Sequence, residues 1–188
     1  MTGLRRVDTT LLAGAAVLLL LLPAVNSVDD LLAAWLASTG LDHLVAIAAP
    51  LEARLAAALL DLAGVSAGAT GPDISVRDSA GHVTRLWVAW NCVGWQSVAL
   101  LTMSLAAGLQ GSQSWAIRVQ VVLIGFLGTL AVNLLRIAAV GVLAAWVGHL
   151  PAVLFHDYGG TLLVVGWLFA FWAFATRWLL GEAAEGQE

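Results

Sequence analysis

The chain has 188 residues, 61% of them hydrophobic and only 11% charged, with a mean hydropathy of +0.92. Soluble domains carry about 25% charged residues, so a free cytosolic enzyme and a disordered chain are excluded, and lipid is the solvent for much of the sequence. A net charge of -4 and an isoelectric point near 5.4 argue against a nucleic-acid partner.

Arg5 and Arg6 precede an apolar run over residues 10–25. No small-residue cleavage site follows it, so the run predicts a first transmembrane helix with a cytoplasmic N-terminus. Ser27-x-x-Asp30 and Thr39-x-x-Asp42 each predict a helix start of the capping-box kind. In the second of these helices, residues 40–63, His43, Arg54 and Asp61 are spaced by nearly whole turns and share one stripe. Glu52 falls off that stripe, and Pro50 should bend the helix. The expected place of this helix is the membrane interface; if it crosses instead, the stripe faces the bundle.

Residues 65–91 form the one polar island. Gly64, Gly68, Gly71 and Pro72 predict a loop, and alternation at Ile74–Arg77 and a β-rich run at Val83–Trp90 predict a hairpin turning at Ser79-Ala80-Gly81. Three further spans are expected: 93–109, a long one over 119–147 that holds Asn133 and Arg136, and 160–178, closed by Arg177.

The expected architecture is therefore an all-α polytopic membrane protein forming a single integral membrane domain. It comprises an N-terminal span and interfacial helix (1–64), a small extracytoplasmic β-hairpin (65–91), a helical core (92–180) and a disordered tail (181–188). The count is four transmembrane helices, or five if 40–63 crosses. This topology puts Arg5, Arg6, Arg118 and Arg177 on the cytoplasmic side, as arginines prefer, with Arg77 and Arg85 outside.

Arg136 lies 18 residues beyond Arg118, roughly 27 Å of helix and close to the thickness of a bilayer core. Arg136 is then expected at the outer face, where Cys92 and the loop residue His156 also fall. These residue types suit thiol acyl transfer. A thiol attacks as its thiolate, which a neighbouring cation or base favours. A histidine takes and returns a proton, and a guanidinium keeps its charge and can steady a developing oxyanion.

The residues that carry this kit resemble the exosortase/archaeosortase family of membrane transpeptidases. Three stretches are similar, in the family's order: Asn-Cys-Val-Gly-Trp-Gln-Ser (91–97), Asn-Leu-Leu-Arg-Ile (133–137) and Phe-His-Asp-Tyr-Gly-Gly (155–160). Val93 stands where the family usually has Ser, Thr or Ala, and Trp95 where it has Ile or Leu. The resemblance implies Cys92 as nucleophile, Arg136 as charge stabiliser and His156 as proton carrier. Asn133, Asp157 and Gly94 are the expected supporting residues: Asn133 beside Arg136, Asp157 orienting His156. Trp90 and Trp95, which bracket the cysteine, are candidate substrate-groove residues.

The implied reaction is cleavage of a C-terminal sorting signal on an exported protein, through a thioester, at the extracytoplasmic face of the plasma membrane. The acyl group then passes to an acceptor. The implied partners are that hydrophobic sorting tail and membrane lipid, with no metal or other cofactor. His43, His82 and His149 read as structural or solvated. A non-enzymatic transport or assembly component is the rival class, and there the stripe His43/Arg54/Asp61 would matter more than Cys92.

Overall fold

The computed structural model describes Ser38, residues 42–110 and residues 113–180. The expected first span, the Ser27 helix start and the acidic tail lie outside the described residues. From Val45 onward the described residues belong to one compact unit.

Helix α1 (Asp42–Leu62) leads into three short strands, β1 (Ala67–Thr70), β2 (Asp73–Arg77) and β3 (Val83–Trp87). A 3-10 turn at Trp90–Cys92 then enters α2 (Trp95–Gly108), followed by α3 (Trp115–Trp146) and α4 (His149–Leu179). The sheet is an antiparallel meander in the order β1-β2-β3, with Gly68 opposite Ser75 and Ser75 opposite Arg85.

Two expectations are corrected. The polar island is a three-stranded sheet rather than a two-stranded hairpin. Its first strand, Ala-Gly-Ala-Thr, has little intrinsic strand preference and is held by pairing with β2. The last helix begins at His149 rather than near 160, so His156 is helical rather than in a loop. Pro151 falls in the first turn, where backbone N–H groups have no intrahelical acceptor, so it does not break the helix.

α3 and α4 are long and apolar enough to cross a membrane, and only 33% and 22% of their most apolar windows are buried. Much of the rest, including Leu123, Leu127, Leu162 and Phe169, is exposed, as lipid-facing surface requires. α2, expected as a further span, has 14 residues, about 21 Å at the helical rise.

Small residues let the helices approach closely. A Cβ on Gly128 of α3 would collide with the Trp167 ring of α4, and the Trp167 indole donates to Thr129 Oγ1 at 3.0 Å. Phe171 fills the centre of this cluster with Leu101 and Val121. The second cluster joins the alanine face of α1 (Ala49, Ala53, Ala56, Leu60) to Ile74, Val76 and Val88 of the sheet region and to Cys92, Ile137 and Ala138. His43, Arg54 and Asp61 are exposed on α1, whereas Glu52 is buried.

Candidate active site

The second cluster ends at the cysteine. β3 runs out at Trp87, and the Val88 amide still pairs with the Pro72 carbonyl. The 3-10 turn, which begins three residues after Trp87, delivers Cys92, whose amide donates to the Ala89 carbonyl at 2.9 Å. Gly94 then reverses the chain into α2 with φ +75°, a conformation that costs other residues about 1–2 kcal/mol. A Cβ at Gly94 would also stand 2.8 Å from Asn133 Cγ, so a glycine lets the turn lie directly on α3.

Cys92 Sγ lies 3.2 Å from His156 Nε2. The other ring nitrogen, Nδ1, is 3.0 Å from Asp157 Oδ1. An ionised carboxylate only accepts, so Nδ1 carries the proton and Nε2 is left to take one from the thiol. His156 reaches the cysteine from a π-helical turn, Phe155–Gly159, in which the Gly160 amide bonds the Phe155 carbonyl. Such turns shift the side-chain phase of a helix and recur at functional sites.

Arg136 comes from α3 and donates through Nη2 to the His156 carbonyl at 3.5 Å. A Cβ at Gly160 would strike Arg136 Nε, so that glycine clears the bed in which the guanidinium lies. Cys92, His156 and Arg136 line one cavity of about 190 Å³, together with Arg85, Leu86, Trp87 and Val88 from the end of the sheet.

Cys92 lies in the turn ahead of α2, outside the two long helices. Burial (the residue is 9% exposed) pushes its thiol up and is the largest single influence. The hydrogen bond and charge of His156, a backbone hydrogen bond at Ala89 and the charge of Arg136 together outweigh it. The thiol therefore lies below its ordinary value, which favours thiolate near neutrality.

The structure thus brings Cys92, Arg136, His156 and Asp157 together. Asn133 does not serve Arg136: its amide nitrogen donates to the Cys92 carbonyl at 2.8 Å and to Glu52 Oε2 at 3.2 Å. Trp90 and Trp95 stack on each other with centroids 5.3 Å apart, and neither lines the Cys92 cavity. Trp90 borders a neighbouring groove with Pro50, Pro72 and Trp87. Sequence reasoning passed over Arg85 and Trp87, whose position in the strand that runs into the cysteine was the available signal. It also set Glu52 aside, because a residue off a polar stripe reads as incidental until the buried face is known. Among the described residues, no group of three or more His, Cys, Asp or Glu is arranged to hold a metal ion.

The model of one family, described as transmembrane exosortase, matches residues 5–173. The chain belongs to the transmembrane exosortase family. Comparison with curated proteins and with solved structures finds no match. The family match spans all of α3, most of α4 and the whole Cys92 cavity, and membership implies a membrane enzyme of the cysteine peptidase/transpeptidase kind.

Proposed function

We propose that this exosortase cleaves C-terminal sorting signals of exported proteins by cysteine acyl transfer at the extracytoplasmic face of the plasma membrane. The observation that carries the proposal is the 3.2 Å contact between Cys92 Sγ and His156 Nε2, in a cavity that Arg136 also lines. His156 accepts the thiol proton, and the sulfur adds to the scissile carbonyl carbon. The carbonyl oxygen takes up negative charge beside the Arg136 guanidinium. The imidazolium then protonates the departing amine, the C–N bond breaks and a thioester remains. A water or an acceptor amine, deprotonated by His156, displaces the sulfur and restores Cys92.

Asp157 supports the required tautomer of His156. The assignment of the active face rests on the arginine distribution, which puts Arg118 and Arg177 on the opposite side from the sheet. Co-expression with an exported protein bearing a hydrophobic, basic-ended tail tests the proposal. Cys92→Ala and His156→Ala abolish tail removal while the enzyme still inserts; normal processing by Cys92→Ala contradicts it. In the rival reading, a non-enzymatic component, alanine at His43, Arg54 or Asp61 alters the phenotype and alanine at Cys92 does not.

A further inference from the structure

A buried carboxyl group lies one hydrogen bond away from the asparagine that bonds the cysteine turn. The alanine face of α1 that packs the core also carries Glu52, 9% exposed. Against it lies Asn133, 2% exposed, on the buried stripe of α3 with Thr129 and Ile137. The Asn133 amide has two hydrogens, and the 2.8 Å and 3.2 Å contacts to the Cys92 carbonyl and Glu52 Oε2 use both. A backbone carbonyl can only accept, so the amide nitrogen must face Cys92. The amide oxygen then points elsewhere and, among the described residues, has no partner.

An acid among alanines and an orphaned amide oxygen are both costly to bury. An apolar side chain of similar volume would pack this face of α1 at least as well. The arrangement therefore does something other than fill space, and what it touches is the backbone of the nucleophile.

We propose that Glu52 is a positioning residue for Cys92: by holding one N–H of Asn133 it aims the other at the Cys92 carbonyl, and so fixes the turn that presents Sγ to His156. Glu52 acts only through Asn133, and the inference rests on the reading of Cys92 as the nucleophile.

Cys92 is the only cysteine in the chain, so alkylation by iodoacetamide reports this one thiol in the purified full-length protein. In Glu52→Leu the pH midpoint of alkylation rises toward that of an ordinary thiol, and the rate at pH 7 falls about tenfold, as about one unit of thiol pKa requires. Glu52→Gln keeps an oxygen for the Asn133 amide and retains the wild-type profile. Asn133→Leu reproduces Glu52→Leu, and the double variant loses no more than either single one.

A wild-type profile in Glu52→Leu overturns the inference, as does an equal shift in Glu52→Gln or additive losses in the double variant. If Glu52→Leu does not accumulate, Asn133→Ser takes its place, with the same upward move expected and an unmoved profile overturning the inference. Substrate processing does not enter this test, so its failure is distinct from the processing by Cys92→Ala that would defeat the proposed function.

Discussion

At the scale of single residues, chemistry is concentrated where charge meets burial. Arg136 sits within apolar sequence, where insertion costs about 2.5–3.5 kcal/mol on translocon scales, and the structure gives it the cavity of Cys92 and His156 to face. A lysine there keeps the charge and loses the planar fork. Arg136→Lys is expected to lower tail processing about tenfold and Arg136→Ala about 100-fold, with insertion unchanged by membrane fractionation; full activity in Arg136→Lys removes the guanidinium from the account. Glu52 gives a separate signature. Burial raises its carboxyl from 4.5 to about 7, and among the described residues no ion pair reaches it. The folded state therefore holds a proton that the unfolded state releases near 4.5. The stabilisation from that proton is complete below pH 4.5 and is lost as pH rises through about 7. Thermal midpoints in detergent should fall between pH 5 and 8, and Glu52→Gln should flatten that fall.

Elements explain why these residues meet. A strand that ends at Trp87, a 3-10 turn and a left-handed Gly94 carry the cysteine onto α3. α3 supplies Asn133 and Arg136 three residues apart, and the π-helical turn of α4 supplies His156. Gly160 completes the fit. An alanine there forces the Arg136 guanidinium out of its bed, so Gly160→Ala should cost about 1–3 kcal/mol of stability and about tenfold or more in processing, since a displacement near 1 Å is catalytically expensive. Wild-type turnover in that variant would show that Arg136 need not lie against α4.

Much of this was legible in the sequence, for physical reasons. Cys92 is unique, and Arg136 is conspicuous because charge is rare among apolar residues. Spans of the length of α3 announce themselves by composition. β1 was not legible, because Ala67 to Thr70 forms a strand through its partner rather than its own preference. The helical state of His156 was hidden by adjacent Gly159 and Gly160, which read as a loop yet serve as clearances for Phe155 and Arg136. Asn133 was noticed but assigned to Arg136, its near neighbour on the helix. Its true partners come from residues 41 and 81 positions away, which no local pattern reveals.

On the scale of the whole molecule, the chain is a membrane enzyme of the exosortase family, and the proposed function needs its sheet and cysteine cavity on the extracytoplasmic side. With one cysteine in the chain, a membrane-impermeant maleimide should label Cys92 in intact spheroplasts, slowly because the thiol is buried. Labelling only after the cytoplasmic face is opened would invert the topology and with it the proposed substrate. The central claim is covalent, and the direct measurement is the mass of the enzyme during turnover of its sorting substrate, with peptide mapping of the modified residue. The account predicts an acyl adduct on Cys92 that hydroxylamine releases, as it does thioesters, and that is absent in Cys92→Ala. Tail cleavage that proceeds with no adduct on Cys92, or that persists in Cys92→Ala, would contradict it.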